Sequence, residues 1–209
     1  MDFFARMRQR LEPAYLASDE PWRQSGFSGP EARWIALRKP IADCVDRSGT
    51  FLDIGCANGY LVECLLRWTA DRHLTLDPYG IDLSPPLVAL AQRRLPTLAS
   101  HFLVANGFTF RPPRRFDFVR TELCYVPADA ERAYLQRLLA EVVAPNGTLL
   151  VCNYAEAQPD VATRIVDGAH PTSDLLARLT DLGFPAASHR DAFDAVKGRR
   201  TRIALLRNR

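Results

Sequence analysis

The chain has 209 residues, 47% of them hydrophobic, and its 27 basic and 24 acidic side chains leave a net charge of +3. This length and composition predict one globular domain with a buried core. The small net charge, without a long basic run, argues against an extensive nucleic-acid surface. No apolar stretch approaches the roughly 20 residues of a membrane helix, so no membrane partner is expected.

The five cysteines and four histidines show no spacing typical of metal ligands, so no metal site is expected. An odd number of cysteines without a Cys-x-x-Cys pair predicts reduced thiols. Met1–Leu11 lacks the apolar core of a signal peptide and has the pattern of an amphipathic helix. We therefore expect a cytoplasmic protein.

Residues 1–48 are predicted to form a helical extension ahead of the first core strand. Apolar residues recur at helical spacing over Asp2–Ala17 and again from about Pro30 to Asp46. Ser18–Pro30, between them, is a connector rich in turn-forming residues.

Strands and helices alternate from residue 49 onward. Strands are predicted at Thr50–Ile54, Tyr79–Leu83, His101–Val104, Phe116–Tyr125 and Thr148–Asn153, and helices at Tyr60–Trp68, Ser84–Leu95 and Ala130–Val143. This alternation indicates an α/β fold with a parallel, doubly wound sheet, whose ligands bind beyond the carboxyl ends of the strands. Two further helices, Val161–Asp167 and Ser173–Leu182, precede two final strands, Phe184–Phe193 and Thr201–Leu206.

The most informative stretch is a strand, a turn of small residues and a helix. Gly55, Ala57 and Gly59 alternate through this turn, and Asp53 precedes them. A dinucleotide fingerprint would place its third glycine one residue later. Small residues let a ligand lie against the backbone, near the positive end of the following helix.

A carboxylate, Asp82, ends the next strand. It lies 23 residues after Gly59, close to the roughly 20 expected for an acid that accepts hydrogen bonds from a ribose diol. The glycine turn and this acid together are a strong signal, whereas either alone is weak.

The Asp-x-Gly-x-small-x-Gly pattern, followed by the second acid, resembles the class I S-adenosylmethionine-dependent methyltransferases. The resemblance covers residues 50–206 and is strongest over 50–110. It implies a Rossmann-like, doubly wound seven-stranded sheet with a C-terminal antiparallel β-hairpin. It also implies an N-terminal helical lid over 1–48, a methyltransferase domain over 49–209, and S-adenosylmethionine as cofactor.

The resemblance also implies a cofactor site. Its expected members are Asp53, Gly55, Cys56, Ala57, Gly59, Tyr60, Asp82, Leu83, Asn106, Gly107, Phe108 and Glu122. Many members of the family have an acid at the position of Asn106, and an amide oxygen can accept the same hydrogen bond from adenine. Phe108 is expected against adenine, and Tyr60 or Tyr125 near the sulfonium. For these three aromatic residues, packing in the core is the alternative.

The candidate catalytic residues are Glu122, Tyr125 and His170. Glu122, at the end of the fourth strand, is placed to act as a base or to bind a cationic amine, or else it pairs with a nearby arginine. His170 lies in a loop rich in Gly and Pro, where simple solvent exposure is the alternative. The expected walls of the acceptor pocket are Trp22, Phe27, Asn153 and Tyr154. For Trp22 and Phe27, packing on the sheet edge is the alternative.

We therefore expect methyl transfer to a nitrogen or oxygen of a small molecule, for example a secondary metabolite. An RNA methyltransferase that uses Arg93, Arg94, Arg114 and Arg115 as its footprint is the alternative, and a non-catalytic S-adenosylmethionine-binding module is a third hypothesis. Glu122-Leu-Cys-Tyr stands where an Asn-Pro-Pro-Tyr or Asp-Pro-Pro-Tyr motif would indicate methylation of a base amine. Both a monomer and a homodimer remain open.

Overall fold

The computed structural model describes residues 2–157 and 174–208. Within these residues, one sheet contains the strands β1 (Gly49–Ile54), β2 (Leu76–Asp82), β3 (Phe102–Val104), β4 (Phe116–Glu122), β5 (Val143–Ala157), β6 (Ser188–Asp194) and β7 (Arg199–Arg207). The helices are α1 (Phe3–Leu16), α2 (Glu31–Arg38), α3 (Pro40–Asp43), α4 (Tyr60–Ala70), α5 (Pro85–Arg94), α6 (Glu131–Arg137) and α7 (Leu175–Asp181). The helix expected at Val161–Asp167 and the candidate His170 lie outside the described residues.

The strand order is β3-β2-β1-β4-β5-β7-β6. The first five strands in this order are parallel, and β7 runs antiparallel to both β5 and β6. The predicted fold class and the C-terminal hairpin are therefore confirmed. The order reverses between β1 and β4, which opens a crevice at the carboxyl ends of these strands.

The core lies on both faces of the sheet because successive residues of a strand point to opposite sides. In β1, Phe51 packs with Trp34 on one face, and Leu52 packs with Tyr134 and Leu138 on the other. All five of these side chains are fully buried. Burial on both faces explains why the parallel strands read as nearly continuous apolar runs.

The helix expected from Pro30 to Asp46 is interrupted. Pro40 has no backbone N–H to continue the hydrogen bonding of α2, and it begins α3 instead. By contrast, the start of α5 is as predicted, because Ser84 Oγ accepts a hydrogen bond from the Leu87 N–H at 3.3 Å.

Two elements end earlier than the sequence predicts. The helix expected over Ala130–Val143 changes to a π-helical turn at Leu138–Val142. The fourth strand, expected to reach Tyr125, ends at Glu122, and Leu123–Tyr125 forms a 3-10 turn. That turn brings the Tyr125 ring over Gly55.

No helix in the described part of the chain has the length and apolar character required to cross a bilayer.

Candidate active site

A cavity of about 790 Å³ lies at the carboxyl ends of β1, β2 and β4. Its floor is formed by the glycine bend and the strand ends, and α1 contributes one wall through Phe3, Met7, Leu11 and Tyr15. A volume of this size is typical of small-molecule sites. The predicted site residues that line it are Asp53, Gly55, Cys56, Ala57, Asp82, Leu83, Asn106, Gly107, Glu122, Tyr125 and Tyr154.

The bend after β1 requires small residues for two reasons. Gly55, Ala57 and Gly59 have left-handed φ values of 77°, 47° and 75°, which glycine adopts without steric cost. A Cβ atom on Gly55 would lie 2.6 Å from Tyr125 Cζ, and one on Gly59 would lie 2.9 Å from Ala91 Cβ. Gly55 thus makes room beneath Tyr125 inside the cavity, whereas Gly59 lets α4 approach α5 and does not line the cavity.

Asp82 is tied to this bend. Its Oδ2 accepts a hydrogen bond from the Ala57 N–H and its Oδ1 one from the Ser84 N–H, each at 2.9 Å. Burial raises the pKa of Asp82, and these backbone donors oppose the shift. Each carboxylate oxygen retains a further acceptor position, so the group can also accept two hydroxyl donors.

Asn106 and Gly107, which follow β3, line the cavity, but Phe108 does not. The Asn106 Oδ1 atom accepts a hydrogen bond from the Phe108 N–H at 2.9 Å. The Phe108 ring packs against Phe4 and Tyr134, with centroids 6.0 and 6.2 Å away. Asn106 therefore shapes its own loop, and the same oxygen has one acceptor position left for a ligand.

Sequence reasoning missed Arg120, the side chain around which the part of the cavity near Glu122 is built. Arg120 is 4% exposed and lies in β4 beside Asp53, whose Oδ1 is 3.1 Å from Nη1. The guanidinium also donates to the hydroxyls of Tyr125 at 3.0 Å and Tyr154 at 2.9 Å, and it pairs with Glu122. The sequence did contain a signal, a single cation in the middle of an apolar strand. Because a buried charge needs partners, such a residue indicates a cluster of polar side chains around it.

The charges in this cluster do not cancel. Asp53 and Glu122 are acids and Arg120 is the one base among these three, which leaves a surplus negative charge. Burial raises the pKa of Asp53 to about 6, against the opposing effect of Arg120. The surplus is confined to these three residues, because Arg38 adds a cation to the wall of the same cavity.

Glu122 accepts hydrogen bonds from the Tyr125 hydroxyl at 2.7 Å and from Arg120. The Cys124 thiol lies 3.6 Å from its second carboxylate oxygen. Burial raises the pKa of Tyr125 and of Tyr154, so both phenols remain protonated hydrogen-bond donors. The structure thus contains the ion pair with an arginine that was the alternative interpretation of Glu122. The Glu122 carboxylate nevertheless also lines the cavity.

The N-terminal residues contact the bend as well as the cavity. Tyr15 lines the cavity together with Glu122 and Asp82, and burial raises the pKa of its hydroxyl. Asn58, next to Gly59, donates from Nδ2 to Gln24 Oε1 at 2.8 Å. This hydrogen bond fixes the connector before α2 to the glycine bend.

Several predicted site residues lie away from the cavity wall. Tyr60 donates its hydroxyl to Glu31, and its ring packs 4.7 Å from that of Trp34. Trp22 donates from Nε1 to the Gly29 carbonyl at 3.0 Å, and Phe27 lies under the guanidinium of Arg33. Asn153 is in register with Arg202 of β7. The roles assigned to these residues, and to His170, remain predictions.

A family model described as a methyltransferase domain matches residues 51–147 of this chain. This segment runs from β1 to the start of β5 and contains the bend, Asp82 and Glu122. A search of curated proteins finds no match.

Three solved structures share the fold. N-methyltransferase NodS from Bradyrhizobium japonicum WM9 is 18% identical, with a TM-score of 0.61 over 96% of this chain and 97% of that one. The 1,6-didemethyltoxoflavin-N1-methyltransferase of Burkholderia thailandensis is 17% identical, with a TM-score of 0.70 over 98% and 88%. Magnesium protoporphyrin IX methyltransferase from Synechocystis PCC 6803 is 18% identical, with a TM-score of 0.63 over 100% and 98%. At these identities the likeness shows a common fold, while function is argued from the site.

Proposed function

We propose that this chain, a class I S-adenosylmethionine-dependent methyltransferase, transfers a methyl group to a nitrogen or oxygen atom of a small molecule. The observation that carries the proposal is the shared cavity. The glycine bend and Asp82 line one end of it, the Arg120–Glu122–Tyr125 cluster lines the other, and α1 lies along the side.

The residues of the cavity fit the cofactor. Asp82 has acceptor positions for the two ribose hydroxyls. The bend at Gly55 and Ala57 carries no bulky side chain of its own, and the Tyr125 ring lies over Gly55. The surplus negative charge near Asp53 suits the ammonium of the methionyl group. When bound, S-adenosylmethionine supplies a methyl group on a positively charged sulfur, which requires no further activation.

The task of the protein is then to hold the acceptor atom in line with that methyl group and to exclude water. Orientation of this kind contributes on the order of 7–11 kcal/mol at best. Where the acceptor atom carries a proton, Glu122 is the group we assign to remove it, because its carboxylate lines the cavity. Tyr125 and Arg120 hold this carboxylate in place through hydrogen bonds. General-base assistance adds roughly 10²–10⁴-fold.

Two observations favour a small molecule over RNA. The cavity is partly covered by α1, which limits access for a polymer. Two of the four arginines proposed as an RNA footprint also have intramolecular partners. Arg94 pairs with Glu63 at 3.1 Å, and Arg114 pairs with Asp77 at 2.5 Å.

The named substrates of two solved neighbours agree with this proposal. One neighbour is an N1-methyltransferase of 1,6-didemethyltoxoflavin and another methylates magnesium protoporphyrin IX. Both are small-molecule acceptors on the same fold.

The test is methyl transfer from labelled S-adenosylmethionine to a panel of small amines and phenols, with total RNA as a separate arm. We expect mass gain of one methyl group on a small molecule and no label on RNA. Label on RNA alone would support the alternative enzyme. Cofactor binding without any transfer across broad panels would support a binding module.

A further inference from the structure

Arg38, on α2, has no acidic partner, unlike the other buried arginines of the described chain. Arg120 pairs with Asp53, and Arg202 pairs with Asp191 at 2.9 Å. Arg38 is 9% exposed, and its Nη1 has no hydrogen-bond partner among residues 2–157 and 174–208. Leaving such donors unpaired is costly, since the water they lose on burial is not replaced.

The guanidinium of Arg38 is held in the wall of the cavity by aromatic rings. Its central carbon lies 3.4 Å from the centroid of Tyr154 and 5.9 Å from that of Phe27. Stacking fixes the plane of a guanidinium and leaves its N–H edge available for a planar anion. The side chain is thus positioned before any ligand arrives.

The position of Arg38 is on the acceptor side. Asp82 ends β2, whereas Tyr154, on which Arg38 stacks, lies in β5, with β1 and β4 between them. The same cavity is also lined by apolar side chains of α1, Phe3, Met7 and Leu11. A ligand that satisfies both features has an apolar body and an anionic group.

We propose that Arg38 binds a carboxylate or phosphate group of the methyl acceptor, so that the acceptors of this enzyme are anionic small molecules. The inference rests on the proposed function and deepens it by naming the substrate class. The carboxylate of the cofactor has the same chemistry, so the experiment also measures whether Arg38 contributes to binding of the cofactor.

Benzoate and its neutral isostere benzamide are the probes, titrated into the protein saturated with S-adenosylhomocysteine. Because a charged hydrogen-bonded pair is at stake, we expect benzoate to bind about tenfold or more tightly than benzamide. Arg38→Gln should remove this preference and leave the affinity for S-adenosylhomocysteine within about threefold. Arg93→Gln, a change at an exposed arginine, is the matched control and should keep the preference.

Equal binding of the two probes by the parent protein would overturn the inference. A loss of S-adenosylhomocysteine affinity in Arg38→Gln as large as the loss of benzoate affinity would also overturn it, because Arg38 would then hold the cofactor. If Arg38→Gln does not fold, Arg38→Lys takes its place. Lysine keeps the charge but not the planar fork, so this variant should retain part of the preference for benzoate. If the parent protein does not bind S-adenosylhomocysteine at all, the proposed function itself fails. This outcome is distinguishable from failure of the Arg38 proposal, in which the parent still binds S-adenosylhomocysteine.

Discussion

The two ends of the cavity are built differently. At the end that we assign to the cofactor, Asp82 is held by backbone N–H groups, and the Gly55 bend is defined by backbone angles. At the end that we assign to the acceptor, the side chains of Glu122, Tyr125 and Tyr154 are held by one buried guanidinium, that of Arg120. Backbone geometry leaves a short local pattern in the sequence, whereas a network of side chains from several strands does not. The first end could therefore be predicted from the sequence, and the second only from the structure.

The largest effect is expected from Arg120→Met, which removes the guanidinium from the acceptor-end network. Breaking a buried ion pair leaves Asp53 and Glu122 uncompensated, and this costs about 3–5 kcal/mol. Urea unfolding measures the loss of stability. Arg93→Met, at an exposed position, should change the free energy of unfolding by no more than about 0.5 kcal/mol. A loss below about 1 kcal/mol in Arg120→Met would mean that the network is not a structural unit.

Glu122→Gln separates chemistry from structure at the same end. Gln keeps the size and an acceptor oxygen but not the charge, so we expect kcat to fall by about a hundredfold or more when the acceptor must lose a proton. The melting temperature should change little by comparison. Glu141→Gln, at a carboxylate paired with Arg111 away from the cavity, is the control. An unchanged kcat would contradict the role of Glu122 as a base and leave it only the ion pair with Arg120.

Gly55→Ala tests the cofactor end. The added Cβ would lie 2.6 Å from Tyr125, at a φ of 77° that L residues rarely adopt. We expect weaker S-adenosylhomocysteine binding and a loss of stability of about 1–3 kcal/mol. Gly198→Ala has a similar strain, with a φ of 57°, but no neighbour within 4 Å, so it isolates the steric contribution. Equal losses in the two variants would show that the contact with Tyr125 does not matter.

The smallest effect is a pH dependence. Since burial raises the pKa of Asp53 to about 6, its carboxyl group is protonated below that pH and charged above it. Affinity for S-adenosylhomocysteine should therefore rise by up to about tenfold between about pH 5 and about pH 7.5, as the partner of the ammonium gains its charge. Calorimetric titration across this range measures it. Asp53→Asn should flatten the curve and Asp43→Asn, at an exposed carboxylate, should not. A parent curve that falls with pH would contradict the assignment.

The sequence predicted the sheet, the hairpin and the bend because each depends on local patterns. Alternating apolar runs mark the strands, and the positive φ at Gly55 requires a residue type that can be read directly. Arg38 and Arg120 were missed because a charged residue in a helix or strand reads as exposed until its neighbours are known. The contact between the Tyr60 hydroxyl and Glu31 was likewise beyond sequence reasoning, since only packing brings these two residues together.

The most direct test of the central claim is calorimetric titration of S-adenosylhomocysteine into the parent protein and into Asp82→Ala, with melting temperatures recorded for both. Loss of the carboxylate removes two charge-assisted hydrogen bonds to the ribose, so the affinity should fall by about a hundredfold or more while the protein remains folded. An affinity that is the same in the folded variant and the parent would contradict the placement of the cofactor between Asp82 and the glycine bend.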